Sequence, residues 1–370
     1  MEVGSFSLFC TSCYRRYDLR ATYWRCPSCF SPLEVGMEYP KVKDFSSLID
    51  RSELSLWRYK SLIPFSKGKI SLGEGLTPLI HHREEGVELY FKLEYVSPTG
   101  SFKDRGATVE VSRAKSIGVR RIVEDSSGNA GLAYSAYSAF AGIKARVYVP
   151  RDAPTAKRML MKMCGTEVVE CETREEAAQR AISELDEGDL YIGHTWNPFF
   201  LEGTKTVAYE LYEHGIIGFD SIVIPVSAGT LLLGFYKGFK DLMNMGFIDR
   251  LPRLYAVQAG GVTPIYEDLR GEKWKGEEGT LADGLRIKDP PRRKMIVNAI
   301  KESNGSVVVV GNTEIVESMK HLYKMGLTVE PTSATAYAAY RRLRREAGLR
   351  VLIPLTGTGM KTLDKLIHLK

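Results

Sequence analysis

Amide side chains are scarce in this chain of 370 residues, which holds two glutamines, Gln179 and Gln258, and six asparagines. Depletion of these thermolabile groups points to a heat-adapted source. Long apolar runs are lacking as well. No stretch approaches the roughly 18 residues that a membrane-spanning helix needs, and the opening MEVGSFSLFCTSC has no basic region followed by an apolar one. The expectation is a cytoplasmic chain with no membrane partner. Blocks of like charge are also missing: a net charge of +6 is spread over 51 basic and 45 acidic residues, which argues against a nucleic-acid arm and for a small-molecule partner. Neither a repeat of fixed period nor a low-complexity segment occurs. With 44% apolar and 26% charged residues the composition is that of an ordinary globular chain, and the length predicts two or three domains, each with its own core.

Six cysteines are present, and four of them form two CxxC pairs, Cys10 with Cys13 and Cys26 with Cys29. That spacing is the one by which two knuckles present four thiolates to a tetrahedral, closed zinc site. With no ligand position left open, the metal would be structural, replacing a core that about 30 residues cannot build. Two disulfides or a nucleic-acid-binding ribbon are the alternatives. Cys164 and Cys171 read as buried thiols. Residues 1–36 therefore stand as a zinc-ribbon-like module, and LGEGLTPLI (Leu72 to Ile80), with its glycines and Pro78, punctuates the entry to the main body.

From Ile122 onward strand-like runs alternate with helix-like ones: RIVE, ARVYVP and TEVVEC, with EEAAQRAISEL following. A second series runs through SIVIPVSAG, RLYAVQAGG, SVVVVG and RVLIPLTGTGMK. This alternation predicts an α/β fold of two open parallel-sheet lobes. The basic stretch YRRLRREAG (Tyr340 to Gly348) reads as the solvated face of a helix.

Four junctions carry chemistry. SPTGSFKDRG (Ser97 to Gly106) fixes Lys103 where a turn meets a helix. That placement suits an amine that must attack a carbonyl, because partial burial lowers its pKa toward the neutral form. DSSGNAG (Asp125 to Gly131) follows a strand and opens a helix, exposing backbone N–H groups to an anion such as a carboxylate, with the Asn129 amide beside them. PVSAGTLLLG (Pro225 to Gly234) is a small-residue loop in which Ser227 and Thr230 add hydroxyls to a phosphate cradle, without being a dinucleotide fingerprint or a P-loop. LTGTGMK (Leu355 to Lys361) places Thr356 at the carboxyl edge of a parallel sheet. Each has a plain alternative: a surface lysine, a capped turn, a loop, a glycine turn.

Taken together and in this order, LGEGLTPL, SPTGSFKDRG, SSGNAG, NPFFLEGTKT and LTGTGMK resemble the threonine synthases among the tryptophan-synthase-β-like, fold-type II pyridoxal-5′-phosphate (PLP) enzymes, over roughly residues 70 to 365. The resemblance implies that Lys103 carries PLP as a Schiff base and serves as general base. Asn129 would contact the PLP hydroxyl, and Ser227, Ala228, Gly229, Thr230 and Leu231 would hold its phosphate. Thr356 would face the pyridine nitrogen. Ser126, Ser127 and Gly128 would receive the substrate carboxylate, and His194, Thr195 and Asn197 would line the substrate. It further implies a large PLP-binding domain, 37–111 with 206–370, a small mobile domain, 112–205, that closes over the cofactor, and a homodimer by analogy. An N-terminal zinc ribbon also occurs in some threonine synthases.

Three departures bear on the substrate. Where the family has an Asn-Ser pair before NP and an Arg two residues after that Pro, this chain has His194, Thr195 and Phe200, and a phenyl ring cannot replace a bidentate phosphate donor. The family's Asn- and Gly-rich phosphate loop reads SAGTL. The implied activity is conversion of O-phosphohomoserine and water to threonine and phosphate. Threonine or serine dehydration and cysteine- or cysteate-synthase-like β-replacement are alternatives within the superfamily, and a non-catalytic regulatory protein is the alternative outside it.

Overall fold

The computed structural model describes residues 4–363. Its first elements are β1 (Ser5–Cys10), β2 (Arg16–Tyr17) and β3 (Leu33–Glu38), an antiparallel sheet in the order β2-β1-β3. Next come β4 (Leu79–Glu84) and β5 (Val87–Lys92), an antiparallel pair, and then helix α1 (Lys103–Ser116). The first α/β series follows: β6 (Arg121–Glu124), α2 (Asn129–Ala141), β7 (Lys144–Pro150), α3 (Thr155–Met163), β8 (Glu167–Cys171), α4 (Arg174–Ser183) and β9 (Asp189–Tyr191). Two short helices, α5 (Pro198–Thr204) and α6 (Thr206–Glu213), precede β10 (Ser221–Pro225) and α7 (Thr230–Asn244). The rest comprises β11 (Arg253–Ala259), α8 (Pro264–Arg270), α9 (Arg293–Glu302), β12 (Ser306–Val310), α10 (Asn312–Lys324), α11 (Pro331–Leu343) and β13 (Arg350–Pro354).

Two compact units result, one of residues 1–76 with 103–209, the other of 77–102 with 210–370. In the first, β8-β7-β6-β9 form an all-parallel sheet. Its faces are filled by Val123, Tyr148 and Tyr191 on one side and by Val147, Val149 and Met161 on the other. In the second, β12-β11-β10-β13-β5-β4 form a six-stranded sheet that is parallel except for β4. All five residues of β10 are buried, as both-face coverage of a parallel sheet demands. Burial of Ile222, Val223 and Ile224 there stabilises the fold by about 2 kcal/mol per side chain. The expected α/β architecture with two parallel sheets and a small cysteine-bearing module is what the chain adopts.

The basic stretch divides: Arg341 and Arg342 lie in the last turn of α11, Arg342 pairs with Glu314 at 2.6 Å, and Tyr340 is buried. Cys171 is buried, whereas Cys164 keeps part of its surface exposed, and neither forms a disulfide. Among the described residues no helix is long and apolar enough to cross a membrane.

Candidate active site

In a parallel sheet the chain turns at the carboxyl ends of the strands, so side chains meant for a ligand collect along that edge. In the first unit β6 and β9 are neighbours, with Val123 opposite Tyr191, and the two chains run on side by side. Glu124 closes β6, and His194 lies just past β9. The two meet: His194 Nδ1 is 2.7 Å from Glu124 Oε1, and the His194 backbone N–H donates to Glu124 Oε2 at 3.3 Å. Asp125 accepts from the Tyr191 hydroxyl at 3.0 Å. Burial pushes the Glu124 carboxyl up to about 8, lifts Asp125 to about 6 with the Glu124 charge adding to it, and drives His194 well below its usual range. The Lys103 charge bears on both Glu124 and His194.

Lys103 is the first residue of α1. Its Nζ lies 5.3 Å from the centroid of the Phe200 ring, whose other neighbours are His194 at 5.8 Å and Tyr134 at 6.3 Å. Phe200 is wholly buried. It fits because position 106, one turn along α1 from the lysine, is a glycine: a Cβ there would fall inside the ring. The same economy recurs at Gly203 of α5, where a Cβ would sit 2.5 Å from the carbonyl carbon of Arg105 and 3.0 Å from the Cα of Gly106. Two glycines thus let α5 lie hard against α1. Asn197 caps α5, its Oδ1 accepting from the Phe199 N–H at 3.1 Å.

Ser126, Ser127, Gly128 and Asn129 form the turn into α2. Its N-cap is Gly128, which supplies no side-chain cap, so the helix opens on backbone alone, a setting suited to an anion. Gly131 is required there, since a Cβ would collide with the Ser126 carbonyl oxygen. Thr195 stands in the turn after His194.

In the second unit Ser227, Ala228 and Gly229 join β10 to α7. Gly229, at φ +77°, caps α7 in the left-handed region with no side-chain bond, and Thr230 and Leu231 begin the helix. The Ser227 hydroxyl accepts from the Ile287 N–H at 3.2 Å. Thr356 follows β13. Its backbone N–H donates to Ser333 Oγ at 2.8 Å, while its own Oγ1 is buried with no hydrogen-bond partner among the described residues.

The four N-terminal cysteines converge, their sulfurs all within 4.8 Å of one another. Cys10 and Cys29 are 3.3 Å apart and Cys13 and Cys26 3.7 Å, with no disulfide formed. The Ser12 and Cys13 N–H groups donate to Cys10 Sγ, each at 3.4 Å, and the Tyr17 hydroxyl lies 2.9 Å from Cys26 Sγ. This module is braced against its own unit: Arg113 of α1 donates to the Leu19 and Ala21 carbonyls, and Trp24 packs edge-on against Tyr191 at 5.5 Å and Trp196 at 5.0 Å.

Sequence reasoning named His194 but not its partner Glu124. The available signal was an acidic pair, Glu124 closing β6 after the apolar Ile122 and Val123 and Asp125 following it, where burial makes carboxyl groups costly unless they serve something.

Comparison with known proteins shows the family. Residues 70–357 match the family described as pyridoxal-phosphate dependent enzyme. The threonine synthase of Methanocaldococcus jannaschii is 34% identical over 97% of this chain and 94% of its own length. That of Methanosarcina acetivorans is 31% identical over 91% and 87%. Among solved structures, serine racemase from Dictyostelium discoideum covers 76% of this chain and 92% of its own at 29% identity and a TM-score of 0.63. An L-serine ammonia-lyase from Rhizomucor miehei, at 19% identity and a TM-score of 0.69, shares the fold over 80% and 98%. With the lysine, the glycine-capped turns and the strand-edge threonine in these places, the chain belongs to the pyridoxal-phosphate dependent enzymes, within the threonine synthase family.

Proposed function

We propose that this protein is a PLP-dependent threonine synthase that converts O-phosphohomoserine and water to threonine and phosphate in the cytoplasm. The observation that carries the reading is Lys103 at the head of α1, its amine turned to the Phe200 ring and acting electrostatically on the Glu124–His194 pair. The residues fit the cofactor. Thr356 Oγ1 is a buried hydroxyl without a partner among the described residues, which a pyridine nitrogen would satisfy, and α7 opens at Gly229 with no side-chain cap, a setting suited to a phosphate.

In this reading Lys103 would tether PLP through its amine, Ser227 to Leu231 would hold its phosphate, and Asn129 would contact its ring hydroxyl. When bound, PLP supplies an electron sink that stabilises negative charge at the substrate Cα. The Thr356 hydroxyl, unlike a carboxylate, would not hold a full proton on the ring nitrogen, which would temper the electron sink. Ser126, Ser127 and Gly128 seat the substrate carboxylate on the N–H groups of α2. The Lys103 amine would move protons at Cα and Cβ. His194, Thr195 and Asn197 line the side-chain end of the substrate.

The four-cysteine cluster supports a structural zinc. Thiolates about 2.3 Å from a tetrahedral zinc stand about 3.8 Å from one another, close to the separations found between Cys13 and Cys26 and between Cys10 and Cys29. The N–H groups on Cys10 Sγ are the outer-shell bonds such a site uses.

Supplying the loaded enzyme with O-phosphohomoserine, threonine and serine separately tests the function. Threonine and phosphate released from the first support it, and a 2-oxo acid formed from threonine alone would overturn it in favour of a dehydratase.

A further inference from the structure

We propose that His194, backed by Glu124, is the proton donor to the phosphate group of the substrate, taking the place of a fixed guanidinium with a donor that Glu124 sets. The inference rests on the threonine synthase reading. Its ground is a hydrogen-bonding asymmetry. Among the described residues His194 bonds only through Nδ1 and its backbone N–H, both to Glu124, so that Nε2 has no protein partner. The imidazole is mostly enclosed, with 11% of its side chain open, and Glu124 behind it is closed off at 1%. One nitrogen is thus anchored and the other is left without a protein partner, on a ring 5.8 Å from Phe200, whose centroid lies 5.3 Å from Lys103 Nζ.

The tautomer follows from the anchor. A protonated Glu124 donates to Nδ1, which obliges the neutral ring to carry its own proton on Nε2, pointing outward as a donor. An ionised Glu124 accepts from Nδ1–H, and Nε2 then offers only a lone pair, which repels a phosphate oxygen. Burial favours the first arrangement, since it raises the Glu124 carboxyl and holds the ring uncharged. Lys103 bears on both members, Asp125 and Arg174 act on the imidazole, and Tyr191 hydrogen-bonds Asp125. Phe200 contributes no charge, so the phosphate end of the substrate meets a donor whose state the pair decides.

The proton count closes. As the Cγ–O bond breaks, its electron pair stays on the departing oxygen. The proton of Nε2 passes to the leaving phosphate, and the Glu124 carboxyl proton moves to Nδ1. A carboxylate beside a neutral imidazole remains, and one proton from solvent restores the pair. His194 would be catalytic by contact with the leaving group, and Glu124 a positioning residue.

The test uses the PLP-loaded enzyme and inorganic phosphate as probe, with affinity measured by calorimetry from about pH 7 to about pH 9. Wild-type affinity should fall about tenfold per pH unit once the pair loses its proton. Glu124→Gln has an amide that donates to Nδ1 at every pH and accepts the His194 backbone N–H, so it should hold the neutral-pH affinity without the alkaline fall. His194→Phe should bind weakly throughout. Should that variant not fold, His194→Gln, whose amide donor no neighbour titrates, should bind with no alkaline fall. Visible absorption of the bound cofactor confirms that each variant is loaded. An alkaline fall that persists in Glu124→Gln, a wild-type affinity that is flat over the range, or undiminished binding by His194→Phe would overturn the proposal. Parallel turnover of O-phosphohomoserine separates the failures: no threonine from the wild type removes the substrate reading and this inference with it, whereas threonine formation with phosphate binding indifferent to both residues removes the inference alone.

Discussion

Replacing Gly203 by alanine should loosen α5 from α1 and slow the enzyme without touching a reacting group. The added Cβ would stand 2.5 Å from the carbonyl carbon of Arg105 and 3.0 Å from the Cα of Gly106. Non-bonded carbons rest about 3.5 Å apart, and the Arg105 carbonyl oxygen stands nearer still, so the two backbones must part by at least about 1 Å. Forced separation of this size in a packed interior costs about 3 kcal/mol. It also shifts Phe200 and the preceding His194 turn relative to Lys103, and a misplacement of about 1 Å costs on the order of a hundredfold in turnover. Urea unfolding and steady-state kinetics would read the two effects. The comparison variant is Gly106→Ala, whose Cβ meets a side chain, the Phe200 ring, rather than backbone. Trimming the ring in Gly106→Ala/Phe200→Ala should recover much of the stability lost by Gly106→Ala, a coupling that a double-mutant cycle measures. Gly203→Ala should gain nothing from Phe200→Ala. Stability of Gly203→Ala within about 0.5 kcal/mol of wild type, or its rescue by Phe200→Ala, would refute the argument that the helix backbones themselves are in contact.

Lys103→Ala should abolish the visible absorption of the bound cofactor and lower turnover by at least about a thousandfold, read by spectrophotometry and threonine release. Cys13→Ser should bring bound zinc, measured by elemental analysis, from one per chain to a small fraction. A chelator should lower the thermal midpoint of the wild type and leave that of the variant unchanged. The Glu124 carboxyl is raised from 4.5 to about 8, so between these values the unfolded chain gives up a proton that the folded one keeps. Stability is therefore lost as pH rises through that window. Glu124→Gln should remove this loss, and its advantage over wild type in urea unfolding should grow toward pH 8, to at most about 4 kcal/mol. His194, shifted the other way, makes stability fall below about pH 6.5 as the unfolded imidazole takes up a proton that the folded one refuses.

What could be read in the sequence was local. The β6, β10, β11, β12 and β13 runs are apolar enough to declare buried parallel strands, the four cysteines declare their cluster by spacing alone, and Lys103 stands in a turn-to-helix junction that survives as the first residue of α1. Other features depend on pairing across distance. β9 is three residues, Asp189–Tyr191, too short to show a period, and its place beside β6 is set by register. That register alone brings Glu124 to His194, 70 positions later. Phe200 could be noted as a missing guanidinium. That it fills the volume which Gly106 vacates follows only from how α5 crosses α1.

That shared volume between positions 106 and 200 also constrains the order in which this site can change. While the Phe200 ring stands, every side chain at 106 is barred, whereas exchanging Phe200 for a residue with a slender stem, arginine among them, meets no obstacle from a glycine. A lineage exchanging the side chain at 200 can therefore step first at 200 and only afterwards at 106, and the reverse route passes through a destabilised intermediate.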